Sequence, residues 1–378
     1  MTAGPQPIEA CFRYVTCEKI PSTMARRQEP VKYQGNNSSH RPTSLKELAA
    51  HVGLSTTTLS LVLNASPGSE SIPQDTQDRI FAAAVQFNYR PNFLARSLRA
   101  KRSYAIGVIV PELSDGYSSL VLAGIEDRLM DEGYVPLATS HRHSQHHLEL
   151  LPSMLYQRCV EGLIAVDTPY ELKIPLPIVS VSGHRSDAGV TNIVLNHDRA
   201  AELALTYLRA NDHRRLAVIK GQSFSSDTES RWLSTRKIAR ALGLTVDPGC
   251  VVQLEGDSPS PETGYRATQQ LLARGSKFTA LFAFNDVSAF GAVRALQEHG
   301  LSVPLDVSVI GFDDIWGAAY HIPALTTIRQ PLRAMGILAA ETILARIREG
   351  DGASAPALLA VEPELIVRES TGRARHTE

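Results

Sequence analysis

Three points in the chain set hydrogen-bonding side chains directly after apolar or serine-rich runs. Asn285 and Asp286 follow the run Leu281 to Phe284, Asp313 and Asp314 follow Val309 to Phe312, and Arg231 follows the serine-rich stretch from Gly221 to Ser230. An amide, a carboxylate and a guanidinium converging from different loops can donate to and accept from the hydroxyls of a sugar-like ligand. Phe224, Trp232 and Trp316 would add a stacking face. At Asn285 and Asp313 a loop-capping role competes with ligand binding.

Other chemistry finds less support. The run His141-Arg-His-Ser-Gln-His-His147 has no thiolate or carboxylate close in sequence, which reads as a solvated loop rather than a metal site. Cys11, Cys17, Cys159 and Cys250 lack paired or zinc-type spacing, so free thiols are expected and neither disulfides nor metal. No G-x-S-x-G elbow and no G-x-G-x-x-G fingerprint occurs. Nothing asks for catalysis, and no cofactor is expected.

The elements that must position the polar residues begin at Tyr104. Short apolar runs recur at Ala105–Val110, Gly162–Val166, Ile178–Val181, Ile193–Leu195, Leu216–Ile219, Ala280–Phe284 and Val307–Gly311. Amphipathic stretches such as Leu120–Glu132, Arg199–Arg209, Arg231–Leu242 and Val287–His299 fall between them, the βα alternation of a parallel, doubly wound sheet.

Ahead of this region, Thr43 to Leu63 reads as two short helices. Leu45, Leu48, Ala49 and Val52 form one apolar stripe, Ser44 with Glu47 makes a capping box, and Gly53 ends the helix. Ser55 would cap a second helix whose inward residues Leu59, Val62 and Leu63 leave Thr56, Thr57, Ser60 and Leu61 facing outward. A third stretch, Asp75 to Asn88, carries Ile80, Ala84 and Phe87 at helical spacing to cover them. This is the plan of a helix-turn-helix, whose outward face would read DNA bases, although two ordinary core helices would share the pattern.

Bulk properties agree with a multidomain protein. The 378 residues suggest two or three domains, and no apolar run approaches the roughly 20 residues that span a bilayer. The N-terminus lacks an uninterrupted apolar signal core, so a cytoplasmic address without membrane attachment is expected. The net charge of −1 hides an asymmetry: residues 41–102 hold eight Lys/Arg against four Asp/Glu, and residues 1–40 five against three. A basic head therefore precedes an acidic body, as phosphate contacts require. Residues 1–40 are read as a flexible extension.

The runs ELAAHVGLSTTTLSLVLN and NYRPNFLARSLRAKRSYAIGVIVP resemble the headpiece and hinge of the lactose repressor / galactose repressor family of bacterial transcription factors. The resemblance extends over residues about 43 to 370. It implies an all-α helix-turn-helix headpiece at 41–90, a hinge helix at 91–103, and at 104–378 a periplasmic-binding-protein-like α/β core of two Rossmann-like lobes. The ligand would lie in the cleft between the lobes, at the carboxyl ends of the strands. Relatives usually begin close to the first helix, which makes Met24 an alternative start.

The hinge from Asn92 to Ala100 is too short for a stable isolated helix, so it must fold on a partner. By resemblance, two such segments meet in the DNA minor groove with Leu98 as an apolar wedge, while Asn92, Arg96, Arg99, Lys101 and Arg102 supply DNA contacts. A plain basic linker would explain the charges but not Leu98. On the second helix, Leu61 stands where the family commonly has Arg, and it either packs on thymine methyls or covers the headpiece core. Arg231, Asn285, Asp313 and Gln330 match the family's effector-binding positions. Where several relatives carry an Asp, this chain has Ser182-Gly183-His184, so the pocket is expected to lose a carboxylate there, with Ser182 in its place.

The resemblance thus implies a ligand-responsive regulator, a repressor of a carbohydrate-use operon, that binds a pseudo-palindromic operator as a dimer. The C-terminal RESTGRARHTE has no leucine heptads for a tetramer-forming tail. The competing readings are a solute-binding protein or sugar enzyme on the same scaffold, and a regulator controlled by a protein partner.

Overall fold

The computed structural model describes residues 44–64, 66–89, 102–168, 174–184, 189–257, 259–349 and 357–375. The hinge candidates Asn92, Arg96, Leu98, Arg99 and Lys101, together with Met24 and the N-terminal extension, lie outside the described residues. The chain divides into two units, Met1–Pro91 and Asn92–Glu378.

In the first unit, helix α1 (Leu45–Val52) starts where the Ser44 hydroxyl accepts the Glu47 N–H at 3.2 Å and the Glu47 carboxylate accepts the Ser44 N–H at 2.7 Å. It stops at Gly53, whose φ of 73° lies in the left-handed region that glycine enters without strain. Helix α2 (Thr56–Leu63) begins at Ser55, which accepts the Thr58 N–H at 3.0 Å. Helix α3 (Gln74–Gln86) closes the bundle, and Arg79 donates to the Val52 carbonyl at the end of α1 at 3.2 Å. Leu48, Ala49, Val52, Leu59, Val62, Ile80 and Ala83 form the buried core. Ile80, Ala84 and Phe87 all pack on this core, Ile80 fully buried and the other two partly, with Ala83 buried beside them.

The second unit contains two sheets wound in the same order. The first lobe runs β2 (Val135–Ser140), β1 (Ala105–Val110), β3 (Gly162–Val166), β4 (Ile178–Val181) and β5 (Val190–Leu195), with β11 (Leu358–Val361) at its far edge. The second runs β7 (Val251–Gln253), β6 (Leu216–Lys220), β8 (Ala280–Phe282), β9 (Ser308–Asp313) and β10 (Thr326–Arg329), with β12 (Glu364–Ile366) at its edge. All pairings are parallel except β10 with β12. Repeated order and repeated crossovers make the lobes structural copies of one another.

Helices cover the sheets. In the first lobe these are α4 (Gly116–Asp131) and α5 (Gln145–Gln157). In the second they are α6 (His197–Ala210), α7 (Asp227–Ala241), α8 (Pro261–Ala273), α9 (Asp286–Glu298) and the short α10 (Trp316–Tyr320). Helix α11 (Leu332–Glu349) follows a strand of the second lobe yet buries Met335, Ala339 and Ile343 in the core of the first. The chain therefore crosses between lobes after β5, after β10 and between β11 and β12. Helices α4 and α11 approach so closely that a Cβ on Gly336 would sit 2.1 Å from the Val121 carbonyl oxygen.

Leu59 is fully buried in a headpiece core that holds seven buried apolar side chains among the described residues. Truncating a buried leucine costs roughly 2–5 kcal/mol, a large part of what a small domain possesses. Leu59→Ala should therefore abolish specific DNA binding while the thermal transition of the second unit stays within about 1 °C of the native chain. Retained specific binding in a gel-shift titration would show that this core does not hold the recognition helix.

Candidate functional site

The carboxyl ends of β1, β3, β6, β8, β9 and β10 open onto one cleft between the lobes of the second unit, enclosing about 680 Å³ that is partly open to solvent. Strand ends at a reversal of strand order are where doubly wound sheets bind ligands, because loops diverge there and leave a crevice. Arg231, Asn285, Asp313 and Gln330 all line it. Ser182 does not. It is buried behind the surface with its hydroxyl 2.7 Å from the Tyr117 hydroxyl, so the expectation that it faces the ligand is corrected.

Each lining residue is held by its element. Asn285 caps α9 with its side-chain oxygen, which accepts the Ser288 N–H at 2.8 Å, leaving the amide NH₂ for the cleft. The capping role and cleft exposure thus coexist in one side chain. Asp313 closes β9 with φ 106° and accepts from the Gln330 amide at 2.6 Å. Asp313, Asp314, Asp167 and Ser182 all have positive φ, a conformation costly for residues with a Cβ and characteristic of functional loops. Burial pushes the Asp313 carboxyl well above the usual range, against the attraction of Arg231.

The loss of a carboxylate expected at Ser182 does not leave the cleft poor in acid, because Asp115, Asp167 and Asp227 also line it. Asp115 caps α4, accepting the Tyr117 N–H at 3.1 Å. Asp167, directly after β3, accepts the N–H and hydroxyl of Ser226 from the opposite lobe at 2.9 and 2.6 Å. Burial and the neighbouring charge of Asp227 raise its carboxyl to about 6.

Asp227, at the start of α7, gathers three partners. The ring Nε2 atoms of His184 and His197 lie 2.6 and 3.2 Å from its Oδ1, and Arg231 donates to Oδ2 at 3.1 Å. Burial alone would push this carboxyl up, but His197, His184 and Arg231 together hold it well below the usual range. Among the described residues, His184, His197 and Asp227 form the one group of donors close enough to hold a metal ion. Hydrogen bonds already account for their spacing, and the Arg231 guanidinium would oppose a second cation. His184 belongs to the first lobe and Asp227 to the second, so the contact also bridges the cleft.

The histidine run departs from the expected solvated loop. His141 is 1% exposed, and burial lowers its imidazole to about 4. His143 stacks on Phe224 of the other lobe at 3.8 Å between ring centroids.

In the headpiece, Thr56 and Thr57 are exposed at the first turn of α2, and Ser60 and Leu61 are half-buried. Asn64 donates to the Ser60 hydroxyl at 3.2 Å. Leu61 is absent from the side chains packed on the headpiece core, whereas Leu63 is among them. This favours an outward Leu61.

Comparison with known proteins decides what this pairing of units is. A family model for "Bacterial regulatory proteins, lacI family" matches residues 44–92, and one for a periplasmic binding protein-like domain matches residues 205–371. The HTH-type transcriptional repressor PurR of Haemophilus influenzae is 31% identical over 339 residues, covering 86% of this chain and 98% of that protein. The PurR repressor of Erwinia tasmaniensis is 32% identical over 336 residues, covering 86% of this chain and 96% of that protein. The chain belongs to the lacI family of bacterial regulatory proteins. Among solved structures, the lac repressor dimer bound to operator and the anti-inducer ONPF superposes with TM-score 0.77 at 26% identity, covering 88% of this chain and 100% of that one. A transcriptional regulator CelR–cellobiose complex gives TM-score 0.64 at 25% identity over 87% of this chain and 100% of that one.

For a lacI-family chain, one cation is placed unexpectedly. Arg102, expected beside the hinge cations on DNA, bonds Glu161 at 2.8 Å and the Tyr134 hydroxyl, and its guanidinium lies 4.9 Å from the Tyr104 ring centroid. It ties down the start of the core instead.

Beneath the cleft, Asp286 accepts from the Thr327 hydroxyl at 2.6 Å and the Ile315 N–H at 2.8 Å, and burial raises its carboxyl to about 7. A folded-state value above the unfolded one means that the native chain loses stability as pH rises from about 4 towards 7. Asp286→Asn removes this penalty. Its melting temperature relative to the native chain should climb by several degrees across that window and stay level above it. A difference that does not change with pH would contradict the raised carboxyl.

Proposed function

We propose that the chain is a dimeric, ligand-responsive repressor of a carbohydrate-use operon, binding a pseudo-palindromic operator and answering to a small molecule in the interlobe cleft. One observation carries the reading: a capped helix-turn-helix unit and a polar cleft lined by Arg231, Asn285, Asp313 and Gln330 occur in one chain. The lac repressor neighbour is a dimer on operator, and the CelR neighbour holds cellobiose, which supports both partner classes. Among the described residues no helix is long and apolar enough to cross a membrane, in keeping with a cytoplasmic regulator. No enzymatic step is assigned.

Base contacts fall to Thr56, Thr57, Ser60 and Leu61. Hydroxyls that both donate and accept, with methyl groups that meet thymine, give a softer code than an Arg–guanine fork. Asn92, Arg96, Arg99 and Lys101 hold the phosphates, and Leu98 wedges the minor groove when two hinges fold together. Effector binding biases the lobes towards one orientation and so changes the operator affinity of the dimer. The dimer reading also draws on Trp316, Tyr320 and Ile322, which are 79, 87 and 85% exposed within seven residues of the second lobe, an apolar patch that a monomer would leave in water.

Ile322→Glu should shift the protein from dimer to monomer in sedimentation and weaken operator binding at least tenfold without lowering the melting temperature. A variant that stays dimeric would remove this patch from the interface. Leu98→Ala should weaken operator binding at least tenfold more than binding to random-sequence DNA, because the wedge stabilises only the kinked complex. Equal losses on the two DNAs would contradict the wedge. The function as a whole is tested by titrating operator binding with and without candidate sugars. No effect of any sugar would contradict the carbohydrate assignment, and no operator binding would contradict the regulator.

A further inference from the structure

We propose that the small molecule this cleft receives is cationic: a hydroxylated compound bearing a protonated amine, held by cleft carboxylates that form no ion pair within the described residues. The inference rests on the effector-cleft reading and narrows it to a chemical class. Glu112, Asp115, Asp167, Asp227, Asp257 and Asp313 all line the cleft, against one guanidinium, Arg231. His143 adds no positive charge near neutral pH, since burial lowers its imidazole.

The one guanidinium is already committed. Arg231 donates to Asp227 and to the Phe284 carbonyl, and lies 4.4 and 3.6 Å from the ring centroids of Phe284 and Phe312. Asp227 is balanced by Arg231 and two histidines, and Glu112 has Arg142 at 3.8 Å. Asp115, Asp167 and Asp313 are different. Each accepts neutral donors: the Tyr117 N–H and Ser118 hydroxyl, the Ser226 N–H and hydroxyl, and the Gln330 amide. Among the described residues none of the three is ion-paired. Burial pushes all three carboxyls up, at Asp167 together with the charge of Asp227 and at Asp313 against the attraction of Arg231.

A second observation points to an occupant. Gln330 and Arg231 are 3 and 6% exposed and line the cleft, yet the Gln330 Oε1 and the Arg231 Nε have no hydrogen-bond partner. Buried polar atoms without partners are rare in folded chains. An ammonium N–H or hydroxyl satisfies the acceptor, and a ligand hydroxyl oxygen satisfies the donor. A neutral sugar would leave the buried Asp313 and the half-buried Asp115 and Asp167 without an ion pair, and a sugar acid or phosphate would add to the repulsion.

The test uses the full chain with three arms of probes: D-glucosamine and 1-amino-1-deoxysorbitol; their neutral counterparts D-glucose and sorbitol; and the anions D-gluconate and D-glucose 6-phosphate. Calorimetric titration should show at least one amine binding tenfold or more tighter than every neutral or anionic probe, and Asp167→Asn or Asp313→Asn should reduce that binding at least tenfold. No amine preference in the panel overturns the inference. A readout independent of ligand identity is the melting temperature of the ligand-free variants: replacing a carboxylate that lacks an ion pair by its amide should raise it by a few degrees, and a fall in both variants overturns the inference as well. Operator binding on the same preparations separates the two levels. A neutral sugar that releases operator would sink the charge class and leave the regulator standing, whereas absence of operator binding under every condition would sink the regulator.

Discussion

The second unit depends on one buried carboxylate. Asp227 is 4% exposed, and a charge so far from water persists only if cations or donors surround it. Its partners come from both sides of the cleft, His184 from the first lobe and His197 and Arg231 from the second. Meeting that requirement also places Arg231 between two phenylalanine rings on the cleft wall. Beside it, Ser226 bonds both Asp167 and the Ser182 carbonyl of the opposite lobe. The lobes thus meet through polar contacts at the cleft, while each keeps its own apolar core. Polar contacts can be exchanged for contacts with a ligand or with water at small net cost, which is what a two-position switch needs.

Strain is concentrated in the same place. The chain leaves β3, β4 and β9 through Asp167, Ser182 and Asp313-Asp314, all in the left-handed region without being glycine. Such turns cost of order 1–3 kcal/mol each and persist because the surrounding sheet over-determines them. Two of them, Asp167 and Asp313, place carboxylates on the cleft, where burial makes the charged form still less favourable. A site of this kind gives up stability in exchange for a ligand that restores it.

Legibility in the sequence followed the range of the interactions. The headpiece was readable because its signals are local: Ser44 with Glu47, Gly53 and Ser55 act within three or four residues of their own positions, and each does what its type implies. The central strands were readable as unbroken apolar runs, since both faces of a parallel sheet are covered. The edge strands β2, β7, β11 and β12 were not, because they are short or half-exposed and lose that signal. Within the cleft, Arg231, Asn285, Asp313 and Gln330 converge as the strand-end argument and the family resemblance expected. Asp167 follows the run Gly162–Val166 in the same way, so the rule that found Asp313 applied to it as well. The cluster at Asp227 had no such signal. His184 and His197 lie 43 and 30 residues from it, and only the folding of the lobes brings them together.

In a regulator of the proposed kind, closure of the cleft and affinity for operator are coupled. Ser226→Ala tests it most directly, because it removes a hydroxyl that bridges the lobes and lies far in sequence from residues 41–103. Operator affinity of this variant, measured by equilibrium titration without added ligand, should differ from that of the native chain by threefold or more while its melting temperature changes little. An affinity unchanged within error, in a variant whose cleft is shown by small-angle scattering to have opened, would contradict the coupling.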